Sequence, residues 1–171
     1  YGLQDLIGHE AMDSALRSFN QEFGLKQTPP FPGSYDLYRH LEAVTPDSIK
    51  YYLDDTWNKI TLYDNKAEKV TAKKTGEGEY EVTLNLKSQK LYADETGKES
   101  NAEYTSDYIV VGVFAAEDKD ENGRTRVNPL YIQKHKIKPG QTTLTVKVKG
   151  EPVKAGIDPY NKLIDRLPDD N

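Results

Sequence analysis

The His9–Glu10 pair inside "IGHEAMDSAL" is the first place where residue type and spacing approach catalytic chemistry. A zinc-hydrolase helix of the form H-E-x-x-H sets two histidines four residues apart, so that both imidazoles reach one metal from the same face. The position that the second histidine would occupy is Asp13. His40 and His135 stand alone in sequence, so a three-ligand site would have to be assembled from distant segments. His9 is therefore read as a helix-start residue, and local zinc ligation is not expected.

"DKDENG" invites a second test, because Asp118, Asp120, Asn122 and Gly123 match the first half of a calcium-binding loop. The second half fails: Pro129 stands where the bidentate glutamate belongs, and the flanks read as strands. An acidic hairpin tip with an Asn-Gly turn accounts for the same letters. Lys134, Lys136 and Lys138, like Lys147 and Lys149, alternate along strands. No aromatic residues interleave with them as base-stacking platforms, so they read as solvent-facing lysines that discourage edge-to-edge pairing. Asp54–Asp55 and Asp169–Asp170 are sequence neighbours, and in a helix adjacent side chains diverge by about 100° and cannot share one water. There is no G-x-S-x-G elbow, no glycine-rich phosphate loop and no cysteine, and no spacing points to a Ser/His/Asp site. No catalytic, cofactor-binding or metal-ligating residue is assigned to this chain.

The elements that would hold any site follow from composition and period. A chain of 171 residues with 36% hydrophobic and 30% charged residues can bury a core without disulfides. It contains no apolar run near the ~20 residues of a membrane span. A net charge of −5 argues against nucleic acid as the default partner. The chain opens at Tyr1 and has its sole methionine at Met12, and it reads as a piece of a longer protein.

Helix signals fill the first third. Leu3, Leu6 and Ile7 precede Gly8, and a second helix from His9 carries Met12, Ala15, Leu16 and Phe19 at i, i+3, i+4 and i+7. "QTPPFPGS" forbids regular helix. Ser34 is expected to cap a helix through Ala43 with Leu37, Tyr38 and Leu41 inward. Thr45, Pro46 and Asp47 read as the N-cap and first turn of another helix whose stripe is Ile49, Tyr52, Leu53 and Trp57.

Near Asn58 the period changes from 3.6 to 2. "YEVTLNLK" alternates with Tyr80, Val82, Leu84 and Leu86 on one face, "LTVKVK" repeats the pattern, and "YIVVGVFAA" reads as a central strand covered on both faces. Weaker strands are expected at 59–64, 67–74, 89–93 and 129–138. With turns at "GEGE", "ENGR" and "KPGQ" and no helices between strands, the fold class is α+β. Three to four N-terminal helices over 1–58 precede an antiparallel, immunoglobulin-like β-sandwich over 59–171. The C-terminal "AGIDPYNKLIDR" is expected to anchor the chain end through Ile157, Tyr160, Leu163 and Ile164.

Four ordered segments carry a family likeness: "YGLQDLIGHEAMDSALRSF", "PPFPGSYDLYRHLEAVTPDSIKYYLDDTWNKITLYDNKAEKV", "GEYEVTLNLKSQKLYADETGKE" and "AGIDPYNKLIDRLPDDN". Together they resemble the C-terminal region of bacterial aminopeptidase N-like zinc peptidases, most closely those fused to, or encoded as, ABC-transporter permease proteins. The resemblance implies a fragment comprising the last helices of the peptidase unit and the β-sandwich beside it. It puts the zinc, its H-E-x-x-H helix and the catalytic tyrosine upstream, so none of those residues maps onto this chain. His9–Glu10 falls where the family commonly has a Gly-Glu pair opening a helix. The function so implied is a non-catalytic scaffold for a zinc peptidase parent associated with a bacterial inner membrane. Its partner would be the upstream peptidase domain, and the isolated piece is expected to self-associate. The alternative is a sandwich-type binding or adhesion module with no peptidase role.

Overall fold

The computed structural model describes residues 1–171, which form two compact units, Tyr1–Thr61 and Leu62–Asn171. The protein is an α+β chain with four helices and antiparallel sheets, and strands predominate. No helix is long and apolar enough to cross a membrane.

In the first unit, α1 (Gly2–Ile7) and α2 (His9–Phe23) are separated by Gly8 at φ 89°, a backbone conformation that glycine adopts without steric cost. A fully exposed connector leads from α2 to α3 (Ser34–Val44). Ser34 is not the cap of α3. Gly33 occupies that position, and the Asp36 carboxylate accepts the Gly33 N–H at 2.8 Å, the reach-back half of a capping box.

Thr45 also departs from expectation. Its hydroxyl donates to the Leu41 carbonyl at 2.7 Å, which closes α3 rather than opening the next helix. Pro46 to Ile49 then form a turn, with Ile49 N–H on Pro46 O at 2.8 Å, before α4 (Lys50–Trp57) begins. A threonine can bond either backward to a carbonyl or forward to free N–H groups, and here the backward bond wins. The buried apolar residues of this unit are Leu3, Ala15, Leu41, Ile49 and Leu53, while Leu16 of the expected α2 stripe is exposed.

The strands are β1 (Ile60–Tyr63), which carries the chain across the unit boundary, β2 (Lys66–Gly76), β3 (Glu79–Ser88) and β4 (Lys90–Ala93). They continue with β5 (Glu99–Asn101), β6 (Asp107–Phe114), β7 (Asp118–Lys119), β8 (Thr125–Arg126), β9 (Pro129–Ile137), β10 (Gly140–Lys149) and β11 (Lys154–Ile157). They form three-stranded sheets in the orders β10-β3-β2, β11-β6-β9 and β1-β4-β5, plus the β7-β8 hairpin. None of the sheets closes into a barrel. The strict alternation of β3 buries Val82, Leu84 and Leu86, and β6, buried along its length, supplies Ile109, Val111 and Val113. With Ile137, Val146, Val148 and Ile157 these form one cluster, each such side chain worth roughly 1.5–3 kcal/mol of apolar burial. Eleven strands are present, and β5, β7, β8 and β11, none longer than four residues, lie outside the expected strand segments.

The C-terminal segment is anchored differently from its apolar pattern. Ile157 is buried and Leu163 packs on the core, but Tyr160 and Ile164 are exposed, Ile164 by 70%. Polar contacts hold the segment instead. The buried Asp158 carboxylate accepts the N–H groups of Lys162 and Leu163 at 3.1 and 2.8 Å, and Asp165 accepts those of Asn65 and Leu167, both at 2.9 Å. Main-chain bonds run from Tyr63 N–H to Ile164 O and from Arg166 N–H to Tyr63 O.

Candidate functional site

Two constellations of chemistry-bearing side chains emerge, one in each unit. In the helical unit, Ser18 and Glu22 share one face of α2 because they are four residues apart, and α3 brings His40 against both. His40 Nδ1 lies 2.9 Å from Ser18 Oγ, and His40 Nε2 lies 3.0 Å from Glu22 Oε2. The imidazole is buried, with its ring at right angles to both Phe19 and Phe23. Arg39 clamps Glu22 with a two-pronged contact, Nη1 to Oε2 at 3.1 Å and Nη2 to Oε1 at 2.8 Å. That fork, more than any other contact, holds the Glu22 carboxyl below its ordinary range and the Arg39 guanidinium above its own.

A hydroxyl, an imidazole and a carboxylate in a row are the raw material of nucleophilic catalysis. The surroundings do not complete it. Ser18 sits within a fifteen-residue helix, whose N–H groups there are engaged in the i→i−4 ladder and cannot stabilise an oxyanion. Glu22 is held chiefly by the Arg39 fork, with His40 as its second contact. What this arrangement does well is lock α2 to α3.

The β unit holds a buried ion pair. Lys90, only 1% exposed, places Nζ 2.9 Å from Asp107 Oδ1, and Asp107 is itself 3% exposed. The Tyr63 hydroxyl donates to Asp107 Oδ2 at 3.2 Å, and the Lys90 ammonium lies 4.6 Å from the Tyr104 ring centre and 5.8 Å from that of Tyr63. Nearby, Ser88 donates to Asn65 Oδ1 at 2.7 Å, with both residues fully buried. Burial pushes the Tyr104 phenol up. A cation enclosed by a carboxylate and two aromatic faces is electrostatically satisfied but closed to substrate, so its chemistry is structural.

The histidines flagged by sequence lie apart in their bonding. His9 Nδ1 is 2.6 Å from Gln4 Nε2, His40 belongs to the α2–α3 lock, and His135 stacks on Tyr131 with Nε2 2.7 Å from its hydroxyl. Burial lowers the His135 pKa below the usual imidazole value. In the acidic hairpin, Asp120 Oδ1 is taken by the N–H groups of Asn122 and Arg124 at 2.9 and 2.8 Å, and Asp118 lies 3.8 Å from Arg126. No three His, Asp or Glu side chains converge as metal ligands would.

Sequence reasoning missed both constellations. Ser18, Glu22 and His40 carry no joint spacing signal. Lys90 and Asp107 do carry a faint one, since each continues the inward phase of an apolar row. Comparison of the chain with models of protein families, with characterised proteins and with solved structures finds no match.

Proposed function

We propose that this chain is a non-catalytic scaffold region of a zinc aminopeptidase-like parent: closing helices of the peptidase unit followed by an immunoglobulin-like sandwich. The order of four resembling segments along the chain supports this reading, as does the use of Ser18, His40, Glu22, Lys90 and Asp107 to hold elements together. The observation that carries it is the state of the helical unit. Its buried apolar set is small, while Tyr1, Leu16, Leu25, Phe31 and Tyr35 are exposed, Leu25 by 99%. Leu25 also sits at φ 61°, a conformation costing a bulky residue on the order of 1 kcal/mol or more. Strain and apolar exposure that gain nothing within the chain are what an adjoining domain compensates. The zinc of such a parent does not fit here, because His9, His40 and His135 are each engaged on different elements, and no step is assigned to a metal in this chain.

The reading is tested by metal analysis of the purified chain alongside an aminoacyl reporter assay. It expects neither stoichiometric zinc nor turnover. One tightly held zinc per chain, or hydrolysis that persists through purification, would overturn it.

A further inference from the structure

The outer edge of β2 is open. In the sheet β10-β3-β2 this strand has one hydrogen-bonded neighbour, β3, and from Glu68 through Thr75 it is exposed on both faces. Such an edge presents unpaired N–H and C=O groups that another extended chain can use. Its occupied side displays the matching chemistry. Across β3, Lys73 faces Glu81, Ala72 faces Val82, Thr71 faces Thr83 and Val70 faces Leu84. Val82 and Leu84 are fully buried, whereas Val70, in the same row one strand further out, is 40% exposed. The apolar row thus runs out to the edge without being covered there, and lysines at 69 and 73 flank it on the opposite face.

We propose that the β2 edge is a strand-addition site for an extended acidic segment of another polypeptide. The segment would carry acid, apolar, polar, apolar and acid residues in succession. Its apolar residues would complete the row begun by Val70 and Ala72, and its acids would meet Lys69 and Lys73. Cross-strand pairs of opposite charge are favourable and like charges opposite one another are not, so the same lysines that reject a second copy of β2 select an acidic strand. The pattern is nearly that of β3 itself, "EVTLN", which already pairs with this strand. This inference is independent of the peptidase reading, because it rests on β2 and β3 alone.

The test is titration of the isotope-labelled chain with the capped peptide Thr-Glu-Val-Thr-Val-Glu-Thr, followed by amide shifts. Saturable shifts confined to β2 and the facing amides of β3, weakening as salt rises, are expected. Lys69→Glu with Lys73→Glu should weaken binding by about tenfold and transfer the preference to the peptide with lysine in place of glutamate. Both positions are exposed, so the variant is expected to fold, and its unchanged strand shifts in the free state would verify that. No saturable shift along β2, or equal binding of acidic and basic peptides, would overturn the proposal.

Discussion

Lys90 Nζ and Asp107 Oδ1 stand 2.9 Å apart in a place that water does not reach, at the end of the two inward rows that build the β core. Transfer of both charges from water is costly, and their attraction recovers that cost only while both are present. Lys90→Met and Asp107→Leu should therefore each destabilise by about 3–5 kcal/mol, whereas the double variant should lie within about 1 kcal/mol of the original or above it. Denaturant unfolding of the four proteins measures the cycle, and additive losses would contradict the pairing.

His135 gives the β unit a pH-dependent term. Burial depresses its folded-state pKa, so its contribution is present above the unfolded value of about 6.5 and is lost as pH falls through the folded value. Stability should decline as pH falls below about 6.5, and His135→Gln should flatten that decline. Unfolding midpoints across this window decide the matter.

The α2–α3 lock divides into a buried and an exposed part. His40→Ala removes a ring packed against Phe19 and Phe23 and should cost about 2–3 kcal/mol. Glu22→Ala disturbs a solvent-exposed fork and should cost clearly less than His40→Ala. Near-ultraviolet and far-ultraviolet melts of the two variants compare them.

At the C-terminus the polar anchors should outweigh the apolar side chain. Asp165→Ala loses two charge-assisted contacts to main-chain N–H groups, and a cost of about 2–3 kcal/mol is expected. Ile164→Ala, at a solvent-exposed position, should change stability by less than about 0.5 kcal/mol. Thermal unfolding of both variants provides the comparison.

How far these features can be read from sequence depends on the range of the interaction. Alternation along β3 and β10 displays its buried face directly, since period 2 is a local property. The same phase carries Ser88 and Lys90 inward after Leu86, and Asp107 inward ahead of Ile109. The two charges are thus recoverable singly, but their pairing depends on non-local packing that no single strand displays. Thr45–Pro46 shows the opposite problem: one local signal suits both a helix end and a helix start. Ile164 and Tyr160 mislead because apolar type predicts burial only on average, and the segment's carboxylates had already fixed its path. The Ser18–Glu22–His40 cluster needs the α2–α3 connection, whose course through three prolines and a left-handed Leu25 is set by no periodicity.

The scaffold account is tested most directly by residue-resolved hydrogen exchange on the whole chain in solution. It predicts that amides of residues 1–30 exchange faster than those of β3 and β6, or gain protection as protein concentration rises and exposed Leu16, Leu25 and Phe31 find cover in other copies. Uniformly slow exchange throughout both units in a strictly monomeric sample would contradict it, because the helices would then be complete without a neighbouring domain.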